Sequence, residues 1–174
     1  MDYMTKATSR ETLRHLSKLF RMIFNADTYG KFDVINAFET LPEIFKGTVC
    51  RVIEDRELPY NIPARCYPDE AGNFTVEIKN SIYLGAYKQG IGAYRGFICH
   101  ELCHVFLYKI GFTPIFNVQF GNNEIAPYCS VEWQTKALCG EVMMPYEESK
   151  GLSKTEIMEK YGVSKGFAEK RLKY

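Results

Sequence analysis

The sequence contains no apolar run approaching the roughly 20 residues needed to cross a bilayer, which argues against a transmembrane helix. It has no internal repeat and no low-complexity segment, so solenoid arrays and compositionally biased tails are not expected. The first residues, Met1-Asp2-Tyr3-Met4-Thr5-Lys6, lack the charged-then-apolar order of a secretory signal, and a cytoplasmic location is expected. Net charge is also nearly missing. At +1 formal charge, nothing global points to nucleic acid or to a membrane surface. Cysteine is present at Cys50, Cys66, Cys99, Cys103, Cys129 and Cys139, yet no C-x-x-C pair occurs. That absence argues against a zinc finger or a dithiol redox motif, and free buried thiols are expected instead of disulfides.

Histidine is scarce, with three in 174 residues, and two of them lie four apart in His100-Glu101-Leu102-Cys103-His104. This is H-E-x-x-H. On a helix of 3.6 residues per turn His100 and His104 share a face, where both imidazoles can reach one Zn²⁺ at roughly 2.0–2.1 Å. Glu101 is poorly placed to join them as a ligand, but its carboxylate can take the proton of a water at that site. Phe97, Ile98, Val105, Phe106 and Leu107 around the motif indicate a buried helix. Cys99 and Cys103 precede the histidines by one residue each, about 100° off the histidine face, and are expected to pack in the core. His15 lies off the apolar stripe of its own segment and is expected in solvent.

Length and composition indicate one domain over residues 1–174, with 151–174 as a helix-turn-helix-like appendage. Its 46% hydrophobic and 25% charged residues are ordinary globular composition, and the chain is long enough to bury a core. Residues 9–25 have the pattern of an amphipathic helix capped by Ser9. Asp33 caps a second helix with Val34, Ala37, Phe38 and Leu41 on its apolar face and Pro42 disturbing its end. A strand is expected over 48–53, with Val49 and Ile53 facing inward, followed by a loop through Pro59 and Pro63. Two further strands, 64–67 and 74–79, flank a hairpin turn at 68–73, and Phe74, Val76 and Ile78 form the inner face of the second. A short helical turn around 83–87 precedes the motif helix, which Gly111 ends. A loop over 113–128 leads to a helix over 130–144 closed by Pro145. Ser153 and Glu156 form a capping box, and Ser164 caps the last helix.

A catalytic zinc takes three protein ligands and a water, and no histidine follows His104. The third ligand is therefore a downstream carboxylate or thiol. Glu124, Glu132, Glu141, Glu147 and Glu148 are the acidic candidates. Glu132 is favoured, since it lies in the first turn of a helix able to pack antiparallel to the motif helix, although a helix N-terminus favours Glu in any case. Glu141 is rotated about 180° from it around that helix, and Glu124 sits in a loop.

Beyond spacing, His100–His104 followed by Glu132-Trp133-Gln134-Thr135-Lys136-Ala137-Leu138-Cys139-Gly140-Glu141-Val142-Met143-Met144-Pro145 resembles the ImmA/IrrE family of zinc metallopeptidases. The second motif of that family runs roughly E-x-x-A-N-x-F-A-A-x-L-L-M-P and opens with the third zinc ligand, a place that Glu132 takes here. Thr135-Lys136 stands in place of Ala-Asn, Leu138-Cys139-Gly140 in place of Phe-Ala-Ala, and Cys103 in place of the Gly of H-E-L-G-H. These departures fall on expected packing positions. The resemblance runs from about Phe74 to the C-terminus and includes the strand before Tyr83 and the tail Tyr161-Gly162-Val163-Ser164…Arg171-Leu172.

The resemblance implies a zincin-like α+β domain with a small, mostly antiparallel sheet beside the motif helix and helices at both ends. It further implies an intracellular zinc endopeptidase that cuts a specific regulatory protein, a helix-turn-helix repressor of a phage or mobile element. Zn²⁺ would be held by His100, His104 and Glu132, with Glu101 as general base and Tyr83, Tyr87 or Tyr128 as candidate oxyanion helpers. Phe112, Phe116 and Phe120 in or beside the 113–128 loop are candidates for apolar contact with the substrate. Two rival readings are a protein that inactivates its partner by binding alone and a DNA-binding module built on Lys165, Lys170, Arg171 and Lys173. Against the second, Glu156, Glu159 and Glu169 dilute the basic patch.

Overall fold

Local signals set the first elements. Ser9 Oγ accepts the Thr12 N–H at 3.0 Å and starts α1 (Arg10–Ile23). Asp33 accepts the N–H groups of Ile35 and Asn36 and starts α2 (Val34–Ile44). Pro42 stands in the last turn of α2, and the helix continues past it to Ile44. The computed structural model describes residues 2–115 and 125–174. Among these it forms an α+β fold of eight α-helices and one three-stranded sheet.

The sheet is mixed, which corrects the expected mostly antiparallel arrangement. β2 (Ala64–Pro68) and β3 (Phe74–Lys79) form the expected antiparallel hairpin, but β1 (Val49–Ile53) runs parallel to β3 on its other side. The hairpin puts β3 in the centre, and the return over β2 brings β3 back in the direction of β1. Cys50 pairs with buried Val76, so it turns to the core, while Val49 pairs with Thr75 and stays 43% exposed. The inward side of β1 is thus one residue out of step with the expected one. As the central strand, β3 also buries polar side chains. Arg65 donates to Glu77 at 2.7 Å, and Lys79 Nζ donates to the carbonyl of Pro59 at 2.7 Å.

A full helix, α3 (Asn80–Gln89), replaces the expected short turn; Asp55 accepts the Ser81 N–H near its start and Gly90, at φ 64°, ends it. The motif helix α4 (Gly92–Lys109) runs through the core, with Ile98, Leu102, Val105 and Phe106 buried. Phe106 meets Phe20 of α1 edge-on at 5.2 Å. α5 (Val131–Met143) packs on both α1 and α4, its start fixed by Ser130 Oγ accepting the Trp133 N–H.

α6 (Tyr146–Ser149), α7 (Lys154–Tyr161) and α8 (Lys165–Arg171) complete the chain. The tail shares the main core through Ile157, Tyr161, Val163 and Ala168. Gly96 permits the close approach of α8, since a Cβ there would lie 2.7 Å from the Phe167 ring. Arg171 is buried against Glu141 at 2.8 and 3.0 Å, and Lys165 faces Glu169 at 3.8 Å. Two further guanidinium groups peg elements together. Buried Arg21 donates to the carbonyls of Asp27, Tyr29, Gly30 and Val142, and Arg95 to those of Phe32, Tyr161 and Gly162. No helix among the described residues is long and apolar enough to cross a membrane.

Candidate metal centre

The H-E-x-x-H spacing on α4 stacks His100 over His104, their rings 4.6 Å apart at an 87° tilt. α5 crosses beside them and brings Glu132 from its first turn. His104 Nε2 lies 3.1 Å from His100 Nε2 and 3.1 Å from Glu132 Oε1, and His100 Nε2 lies 3.5 Å from Glu132 Oε2. A tetrahedral ion with bonds of 2.0–2.1 Å sets neighbouring ligand atoms about 3.3–3.4 Å apart. The three donors already stand at that separation, so the set fits a metal ion with a fourth position open.

The neighbouring polar groups favour a cation at the same point. Thr135 Oγ1 donates its one proton to the Val131 carbonyl at 2.8 Å, which leaves its lone pair to accept from His104 Nδ1–H at 3.2 Å. His104 therefore turns Nε2 towards His100 and Glu132, the orientation a metal ligand needs. Contacts with His100 and then His104 hold the Glu132 carboxyl well below the usual carboxylate range. Lys136, one turn further on α5, stands 3.5 Å from the same carboxylate.

The centre lies on the wall of a cleft of about 680 Å³. Glu101 borders this cleft with both histidines and Glu132, and the edge strand β2 supplies Ala64, Arg65, Cys66 and Pro68. Burial first, and then the neighbouring Glu101 carboxylate, push the Cys66 thiol well above its ordinary value, so Cys66 is a neutral neighbour. The N-terminal segment reaches the same place. Asp2 accepts the Glu132 N–H at 3.1 Å and the Ser130 hydroxyl at 2.5 Å, and Met4 bridges to Ser130.

No family model matches the chain, and no curated protein matches it. The centre therefore rests on its own geometry.

That geometry brings together His100, His104, Glu101 and Glu132 and separates the other acidic candidates. Glu141 is buried on the far side of α5 against Arg171, Arg14 and Arg10. Glu148 binds Lys160, Tyr161 and the Gly30 N–H, Glu147 stands on the surface with α6, and Glu124 lies outside the described residues. None of the three tyrosine candidates is among the described residues that line the cleft. Tyr83 instead donates to Glu39 at 2.5 Å, Tyr87 packs beside it in solvent, and Tyr128 lies 56% exposed before α5. Phe112 does border the cleft, while Phe116 and Phe120 lie outside the described residues.

Thr135, Lys136 and Asp2 carry contacts that spacing did not reveal. Thr135 and Lys136 were expected at packing positions, yet both touch the ligand set. Thr135 precedes Lys136 and follows Glu132 by three residues, so the i, i+3 relation on one helix face was the available signal.

A second donor group lies behind the first. Cys99 and Cys103, expected in the core, are fully buried there, and their sulfurs and that of Cys139 lie within 4.8 Å of one another. These three could also hold a metal ion on distance alone. Unlike the histidines they are buried, and Cys139 Sγ donates to the Gly96 carbonyl at 3.7 Å.

Proposed function

We propose that the protein is a zinc-dependent endopeptidase that cuts a specific regulatory protein. The observation that carries this reading is the convergence of His100, His104 and Glu132 at ligand spacing on the wall of an open cleft that Glu101 also borders. The donor set of two imidazoles and one carboxylate is one that catalytic zinc sites use. When bound, zinc would supply Lewis acidity, lowering the pKa of water to about 7 and polarising a carbonyl.

The chain's own residues account for the remaining work. Glu101, next to a ligand but outside the set, takes the proton of the attacking water on its carboxylate. It then returns that proton to the amine of the departing peptide half. Thr135 holds the His104 ring through Nδ1, and Lys136 and the Asp2 contacts hold the start of α5 where Glu132 leaves it. β2 is the edge strand among the described residues and lies along the cleft, where an extended substrate segment can pair with its backbone.

The resemblance to ImmA/IrrE peptidases nominates a helix-turn-helix repressor encoded nearby as the substrate. With a small domain around the site, selection comes from the partner's docking surface, and general proteolysis is weak. The test incubates zinc-loaded protein with that repressor and, separately, with casein. Cleavage of the repressor and sparing of casein are expected. Glu101→Gln is expected to keep zinc and to lose about 10²–10⁴-fold in rate. Full activity in that variant removes Glu101 from the mechanism. Tight repressor binding with no cut in the parent protein makes this a binding inhibitor.

A further inference from the structure

A second depression of about 450 Å³ opens on the other side of His100, between α4, α5 and α8. His100 lines both this groove and the cleft, so the groove continues from the candidate metal centre. Its walls are aromatic: Phe97 of α4, Trp133 of α5 and Phe167 of α8. Its charged lining residues are Arg10, Lys136, Lys170 and Arg171, with no Asp or Glu among the described residues there. Glu141, buried beneath, is shared by Arg10, Arg14 and Arg171 and answers one of these charges, and Glu132 of the metal centre stands 3.5 Å from Lys136 and answers a second. Lys170 is exposed on the rim.

Gly140 lies in this lining, inside α5, where glycine is a poor helix former. Its conformation does not require glycine, since φ is not positive. A Cβ built there meets nothing within 4 Å. Gly96 in the same lining is explained by the Phe167 ring, whereas neither backbone nor neighbour explains Gly140. What the missing side chain does leave is room in the groove.

We propose that this groove is a recognition subsite for a polypeptide segment with a bulky apolar side chain flanked by acidic residues. The proposal rests on the peptidase reading for its role and on charge and shape for its occupant. The apolar side chain fills the space over Gly140 between Trp133 and Phe167, and flanking carboxylates face Lys170, Lys136 and Arg10. The adjoining backbone continues past His100 into the cleft. Aromatics with cations also suit single-stranded nucleic acid. The direct junction with the hydrolytic candidate favours peptide.

Trp133 is the single tryptophan of the chain, so its fluorescence reports on this groove directly. The test uses zinc-loaded Glu101→Gln protein and short blocked peptides with a central Phe-Phe pair flanked by glutamates, by lysines, or with serines in place of the pair. The glutamate peptide is expected to change Trp133 emission and to bind about tenfold or more tighter than either counterpart. Gly140→Leu is expected to weaken it about tenfold with zinc affinity and circular dichroism kept. Lys170→Glu is expected to narrow or invert the preference between the glutamate and lysine peptides. Equal binding of all three peptides, or parent-like affinity in both variants, overturns the proposal. Stronger binding of a thymidine oligonucleotide than of any peptide also overturns it, in favour of nucleic acid. Repressor cleavage with no peptide effect of Gly140→Leu removes the groove and leaves the peptidase. Groove binding with no cleavage by the parent protein does the reverse.

Discussion

The hydroxyl of Thr135 spends its one proton on a backbone carbonyl and so obliges His104 to present Nε2 to the centre. Valine has nearly the same shape and no lone pair to receive the imidazole N–H. Thr135→Val is therefore expected to keep the fold and weaken metal binding about 10–100-fold, as loss of a ligand's hydrogen-bond partner does. Competition against a chelating dye measures it, and an unchanged affinity would mean that packing alone orients His104. Single-residue roles of this kind were only half legible beforehand. The two histidines and Glu101 stood out by type and spacing, and Glu132 by its place in a helix start and by resemblance. Thr135 resembled filler, because a hydroxyl on a helix is uninformative until the opposing ring is known.

Between elements, two carboxylates expected as rival ligands turn out to be fasteners. Glu141 ties α5 to α8 and α1, with its side chain 1% exposed. Removing one member of a buried pair leaves the other charge stranded, at a cost of about 3–5 kcal/mol. Glu141→Ala is thus expected to lower unfolding free energy by about that amount in urea, with zinc still bound below the transition. Loss of zinc without loss of stability would contradict the assignment. Glu148 ties α6 to α7 and to the Gly30 turn. Burial pushes its pKa up, but bonds from Lys160, the Gly30 N–H and Tyr161 outweigh this and set it below the ordinary 4.5. Because the folded value is the depressed one, the stabilisation is present above 4.5 and is lost as pH falls below it. Glu148→Gln is expected to cost about 1 kcal/mol near neutrality, and the gap from the parent should close as pH falls below the ordinary carboxylate value. A gap that widens on acidification would reverse the sign of this coupling.

For the whole molecule, His100 and His104 lie on α4 and Glu132 on α5, so an ion held by all three joins two helices of the core. Binding to the folded chain alone stabilises it by about 2.7 kcal/mol at a hundredfold excess over Kd. Added zinc is expected to raise Tm, and EDTA or His104→Ala to abolish the rise; a zinc effect that survives His104→Ala would point to the buried thiols. At this scale the caps, the hairpin and the order of helices were visible in the sequence because each depends on neighbours along the chain. The parallel pairing of β1 was not, since a strand pattern specifies its faces and not its partner. Nor was the merging of the tail into the core, which depends on Arg95 and Arg171 finding distant carbonyls and carboxylates. Charged letters announced solvent, and tertiary pairing overrode them.

The strap formed by residues 2–8 has a practical consequence at the bench. Asp2 bonds the backbone of Glu132, Thr5 that of Cys129 and Thr8 that of Tyr128, so anything fused ahead of Asp2 enters beside the cleft. At the other end Tyr174 lies under Arg10 on the groove wall. An affinity handle or fluorophore attached next to Asp2 or Tyr174 would shadow the face where binding is to be measured. The exposed turn at Gly90, between α3 and α4, borders neither depression. It is the place to insert one.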